Sequence, residues 1–237
     1  MVDYTERSFA FLDVLGFSNL VVRSTDSKEA RERLDKFIDV ADRLFPQWVT
    51  LGGLAKSNFF SDTILVSIGT PEHYFVHLVR EVGMLARYLL AHGFATRGGI
   101  TVGPVFHEGR VVVGPALITA YELEKRAVYP RVILDDVAME YWRTEFVEGT
   151  PPPYAGWIKQ DRDGEYFIDL FTDWSGVRQM ADFVAEDRIP AEPKEFSKLV
   201  AAHIAEGRTS DIPSVRAKWE WLHSQSRDES ETIASAV

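Results

Sequence analysis

Short runs of aromatic and β-branched residues alternate along this chain with longer segments whose apolar residues recur every three or four positions. Such alternation restricts the fold to strands interleaved with helices. Ser8 to Leu15 (SFAFLDVL) is almost unbroken in apolar character and too short for a helix, so it predicts a strand buried on both faces, ended by Gly16-Phe17. Ser27 to Phe45 places Leu34, Phe37, Ile38, Ala41, Leu44 and Phe45 at helical spacing before Pro46. After Gly52-Gly53, the segment NFFSDTILVSIG predicts strand structure centred on Phe59 to Ile68, with a hairpin turn near its start. Thr70-Pro71 opens a long helix that Gly93 closes. Two glycine-flanked apolar stretches follow in ATRGGITVGPVFHEGRVVVG, then a helix from Ala116 to Ala127 and the strand-like RVIL at Arg131 to Leu134. The order β-α-β-β-α-β-β-α-β predicts an α+β fold, one mixed sheet packed with helices.

A helix over Asp136 to Trp142, the loop EGTPPP and a hairpin around Asp161-Arg162-Asp163-Gly164 complete a body spanning 1–178. Residues 179–226 read as a helical extension packed on it, with Phe196, Leu199, Val200 and Ile204 on one face and Val215, Trp219 and Leu222 on another. Residues 227–237 carry too little apolar surface to pack and read as a disordered tail.

Composition narrows the partners. The 237 residues carry 26 Lys and Arg against 36 Asp and Glu, a formal charge of −10, and no cysteine. Disulfide scaffolds and thiolate zinc sites are excluded. A net negative chain is poorly suited to neutralising a nucleic-acid backbone, so no nucleic-acid partner is expected. No apolar run approaches the roughly 20 residues of a membrane span, and MVDYTERS has no basic stretch before an apolar one, so a cytoplasmic location without membrane contact is expected.

The informative oddity is a carboxylate inside each of two otherwise apolar strands, Asp13 in FAFLDVLGF and Asp62 in FFSDTILVS. Burying an ionised carboxylate is costly unless it is paired or metal-bound. One reading makes each an ordinary buried acid, capped by backbone donors or paired with Arg97 or Arg131. The other places the two acids face to face across neighbouring strands, where a divalent ion relieves their repulsion. The matched pair favours the second. Oxygen ligands without Cys or His point to Mg²⁺ or Mn²⁺, which complete their shells with water and phosphate oxygens, so the expected partner is a nucleoside triphosphate or similar anion. Gly16 and Phe17 stand where a strand turns into a helix, and free N–H groups there suit phosphate.

Four segments in order carry a resemblance: F-L-D-V-L-G-F at Phe11 to Phe17, F-S-D-T-I at Phe60 to Ile64, R-G-G-I-T-V-G-P-V at Arg97 to Val105, and V-V-G-P-A-L-I-T-A-Y-E-L-E at Val112 to Glu124. Over about residues 8–135 the chain resembles class III nucleotide cyclases, most like the pyrimidine (uridylate and cytidylate) cyclases of bacterial Pycsar anti-phage defence. The resemblance implies a ferredoxin-like catalytic domain over 1–178. It also implies a homodimer with active sites at the interface and two metal ions, Mn²⁺ or Mg²⁺, held by Asp13, Asp62 and the Val14 carbonyl. Phe11, Gly16, Phe17, Asn58, Arg97 and Tyr121 become candidate substrate-binding residues. The product would be a cyclic pyrimidine monophosphate, from UTP in preference to CTP, read by a separate effector protein.

Departures sharpen the comparison. Adenylate cyclases carry a Lys where this chain has Asn58 and an Asp where it has Val111, so their purine-selecting groups are absent. Their Asn and Arg, four apart on the following helix, line up with Ile118 and Glu122, and Arg97 or Arg126 is then the candidate to neutralise developing charge. A catalytically silent nucleotide-binding module on the same fold is the competing expectation, and a purine cyclase with an unusual base pocket a third. His107 and Glu108 are expected in a solvated hairpin loop.

Overall fold

The computed structural model describes residues 3–44, 54–144, 154–175 and 189–234. Strand β1 (Thr5–Val14) leads into helices α1 (Phe17–Ser24) and α2 (Lys28–Leu44), then the hairpin β2 (Ala55–Phe60) and β3 (Thr63–Gly69). Helix α3 (Pro71–Ala91) is followed by β4 (Thr96–Glu108), β5 (Val111–Val113), α4 (Pro115–Arg126), β6 (Val132–Leu134) and α5 (Asp136–Thr144). A 3₁₀ turn at Ala155–Trp157 precedes β7 (Ile158–Gln160) and β8 (Tyr166–Ile168), and the helices α6 (Pro193–Arg208) and α7 (Pro213–Ala234) end the chain. Phe45, Pro46, Gly52, Gly53, the loop EGTPPP and residues 179–188 lie outside the described residues.

The strands form one mixed sheet in the order β2-β3-β1-β4-β6-β8-β7, with β5 added to β4. Only the β4–β6 pair is parallel among the described strands. Alternation along each strand divides the core. Ala10, Leu12 and Val14 of β1, with Ile64, Val66 and Ile68 of β3, join the large core against α3, α5 and α6. Phe9 and Phe11, with Leu65, face the opposite side, where Ala116 and Ala120 of α4 cover them. The same alternation sends Asp13 toward the α4 side, at the open end of β1.

Two expectations are corrected. Leu199 is 41% exposed and Ile38 55% exposed, so each drops off its helix's buried face, while Phe196, Val200 and Ile204 hold α6 in the core. The segment from Arg227, expected to be disordered, is helical as far as Ala234. Too few apolar residues keep a segment from packing, but a helix already nucleated and docked elongates at little further cost.

Candidate active site

Asp13 lies beside Arg97 in the β1–β4 ladder, with its carboxylate 3.7 Å from the guanidinium. Arg97 also pairs with Glu124 of α4, whose carboxylate is buried. That approach depends on the R-G-G motif. A Cβ on Gly99 would stand 2.3 Å from the Leu123 Cβ and 2.6 Å from the Ala120 carbonyl oxygen, so only glycine lets α4 lie this close to β4.

Asp62 reaches the same place by another route. It sits in the two-residue turn of the β2–β3 hairpin, not within a strand as expected, with Ser61 at φ 60°. Aromatic content misled the reading there, because Phe60 is 81% exposed and its apolar side chain reports no burial. The turn is tied down by the Val14 N–H, which donates to the Asp62 carbonyl at 3.1 Å. The Asp13 carboxyl group feels the repulsion of the Asp62 charge. Burial first, then the Asp62 and Glu124 charges, push Asp13 up to about 6 against the opposing pull of Arg97.

Neighbouring carboxylates repel each other unless one takes a proton or a cation lies between them. A cation there would relieve the repulsion, and the oxygen-only pair fits a hard divalent ion. Among the described residues no group of three or more His, Cys, Asp or Glu is arranged to hold a metal. A site here would draw on these two carboxylates, the Val14 carbonyl and oxygens of the bound ligand.

Gly16 turns the strand into α1 through a left-handed φ of 78° that a side chain resists, although a Cβ there would meet nothing within 4 Å. Leu20 is bonded back to the Gly16 carbonyl and no side chain caps the helix, so the N–H groups ahead of Leu20 have no acceptor inside it. Phe17 contributes backbone only, for its ring is buried against Phe37.

The remaining candidates divide. Phe11 and Tyr121 meet edge to face at 5.4 Å on the side of the sheet that Asp13 faces, and the Lys125 ammonium lies 3.9 Å over the Tyr121 ring. Asn58 is turned inward: its amide donates to the Gly109 carbonyl at 3.1 Å, and its oxygen accepts from His107. His107 is buried in β4, not in a solvated loop, and its other ring nitrogen accepts from the Ser67 hydroxyl at 2.8 Å. Its apolar neighbours and the nearby Arg7 and Lys56 charges hold it down to about 4, so it stays neutral. No sequence signal marks a histidine whose partners come from two other strands. Glu108 is exposed and pairs with Lys56.

Arg126 is engaged with Glu165 and Arg131 with Asp161 and Asp163, which explains the Asp161 to Gly164 turn as a clamped hairpin. Trp221 donates to Asp161 and stacks on Tyr129. Sequence reasoning missed Lys218. This α7 lysine feels the charges of Arg97, Asp13 and Glu124 and, with Val14, Gly16 and Phe17, lines a cavity of about 410 Å³ between the β1–α1 corner and the α6–α7 pair.

No protein-family model matches the chain, and no curated protein does. Solved structures do. The adenylyl cyclase CyaB from P. aeruginosa superposes with a TM-score of 0.50 at 14% identity, over 70% of this chain and 94% of that one. The fold is that of a class III cyclase catalytic domain. The guanylyl cyclase domain of the RhoGC fusion protein from the aquatic fungus Blastocladiella emersonii gives a TM-score of 0.47 at 15% identity, over 70% of this chain and 95% of its own. On the cyclase fold, the paired aspartates lie at the open end of the central strand β1, and no helix among the described residues is long and apolar enough to cross a membrane.

Proposed function

We propose that this chain is a pyrimidine nucleotide cyclase that converts UTP, and CTP less readily, to the 3′,5′-cyclic monophosphate and diphosphate. The observation that carries the reading is the carboxyl pair of Asp13 and Asp62, brought together from separate chain segments beside an uncapped helix N-terminus.

Asp13, Asp62 and the Val14 carbonyl would hold two ions, Mn²⁺ or Mg²⁺. Bound there, they would lower the pKa of the ribose 3′-hydroxyl and neutralise charge on the phosphates. Arg97, fixed between Asp13 and Glu124, orients the Asp13 carboxylate. The N–H groups from Phe17 onward offer hydrogen bonds to phosphate oxygens, and the helix dipole favours the negative charge.

A homodimer fits the surface. Phe60, Val111, Ile118 and Tyr121 are exposed by 81, 57, 61 and 42%. Phe59 contacts Phe37 in the large core, so Phe60 projects on the opposite face of the sheet, the side on which α4 packs. Leaving this much apolar surface in water is unfavourable unless a partner covers it, and a second copy would bring its own Tyr121 and Ile118 toward the open site.

The pyrimidine preference, the role in anti-phage defence, the cytoplasmic location and the separate effector rest on the resemblance in sequence. The absence of the purine-selecting Lys and Asp supports the preference, since exposed Val111 and inward-turned Asn58 occupy those positions. A silent nucleotide-binding module remains the second reading, favoured by Ile118 and Glu122 standing exposed on α4 where cyclases carry Asn and Arg. Incubation with the four nucleoside triphosphates and Mn²⁺ separates the two. Cyclic UMP and diphosphate are expected, and tight binding with no cyclic product from any substrate would establish the silent module.

A further inference from the structure

The cavity at the end of β1, lined from Val14, the residue after Asp13, has two unlike walls. One is the β1–α1 corner, Val14, Gly16 and Phe17. The other is built by the C-terminal helices, which contribute Gly207 from α6 and Lys218 and Trp219 from α7. Their positions are fixed by packing. The Trp219 indole lies so close over Gly207 that a Cβ there would fall 2.2 Å from the ring, and Leu222, one turn beyond Lys218, is 1% exposed in the core. Lys218 is therefore carried on a docked helix.

Its charge is unspent. Lys218 is partly buried and feels Asp13 and Glu124, yet it stands within ion-pair distance of no acid among the described residues. Arg97 takes both of those carboxylates. The other cavity cation with a described partner, Arg33, is claimed by Glu206 and the Gly93 carbonyl. A partly desolvated ammonium without a counter-ion is unfavourable until an anion arrives. The anion that fits must also lie against the N–H groups after Gly16, and ions held by Asp13 and Asp62 would add to its attraction.

We propose that Lys218 binds the polyphosphate of the nucleotide, making the α6–α7 extension one wall of the active site. This rests on the nucleotide reading given above. Lys218 supplies the fixed cation that Arg126, engaged with Glu165, does not. A flexible, three-donor ammonium suits a group whose charge shifts toward the leaving phosphates.

Calorimetry with inorganic tripolyphosphate and Mg²⁺ tests the assignment on wild-type protein, Lys218→Gln and Lys218→Arg. Loss of one charge-assisted contact predicts about tenfold weaker binding in Lys218→Gln. Lys218→Arg is expected to recover most of it, and uridine monophosphate affinity should stay unchanged in both. Should a variant fail to fold, acetylation of wild-type lysines gives an independent reading, in which tripolyphosphate must protect Lys218. Wild-type binding with equal affinity in Lys218→Gln, or no protection, overturns the assignment and leaves the cyclase reading standing. Wild-type protein that binds neither tripolyphosphate nor any nucleoside triphosphate overturns both.

Discussion

Asp62 is tied to strand β1 beside Asp13 by the Val14 N–H, which donates to its carbonyl at 3.1 Å, although Asp13 lies at the end of that strand and Asp62 in the turn of an edge hairpin. Burial and the Asp62 charge push Asp13 up to about 6, and a divalent cation between the two acids would relieve that repulsion.

Replacing Asp62 with Asn keeps the shape of the turn and removes one unit of ligand charge. Turnover should fall by about a thousandfold, corresponding to several kcal/mol of lost electrostatic stabilisation, while the circular dichroism spectrum and melting temperature stay near wild type. Steady-state assays with Mn²⁺ on the two proteins check this.

The raised pKa of Asp13 sets a pH window. Between pH 3.8 and about 6 the folded protein retains a proton that the unfolded chain has released. Stability relative to Asp13→Asn should therefore fall as pH rises through that window, by up to about 3 kcal/mol. Asp62, Glu124, Arg97 and Lys218 are the charges that face the group. His107 acts oppositely: its pKa, lowered to about 4, means stability is lost as pH falls from 6.5, so the Asp13→Asn comparison is needed to isolate the first effect. Urea melts of metal-free protein at several pH values measure both.

Mn²⁺ must compete with the proton on Asp13. Its affinity should rise with pH up to about 6 and level off above, because Asp13 is then already ionised. Titration by electron paramagnetic resonance follows free Mn²⁺ directly.

Gly99→Ala drives a methyl group into Leu123 and the Ala120 carbonyl. Destabilisation of about 1–3 kcal/mol is expected, and because α4 carries Glu124, the loosened helix should also release Arg97 and weaken Mn²⁺ binding. Denaturant titration and metal titration of the same variant report the two effects.

Ile118→Arg places a charge on the exposed apolar face of α4. Sedimentation should show a dimer in wild type and a monomer in the variant, with turnover falling in parallel and recovering at higher protein concentration.

The alternation of strand and helix, and the position of Asp13 in a strand, were legible because period-two and period-3.6 patterns are local. Helix α3 begins at Pro71 as its sequence predicts. Asp62 was legible as a candidate but not as a turn residue, since Phe59 and Phe60 imitate a buried strand while Phe60 faces solvent. His107 was misread because Asn58 and Ser67, which satisfy its ring, are distant in sequence and adjacent only in the folded sheet. Lys218 was invisible for the same reason: a lysine on an amphipathic helix carries no mark of the cavity onto which packing turns it.

The most direct measurement is anomalous scattering from a crystal grown with Mn²⁺ and a nonhydrolysable pyrimidine triphosphate. Two manganese peaks bonded to carboxylate oxygens of both Asp13 and Asp62 are expected, with the triphosphate against the Gly16–Phe17 corner. Manganese bound elsewhere, or touching only one of the two aspartates with nucleotide present, would contradict the assignment.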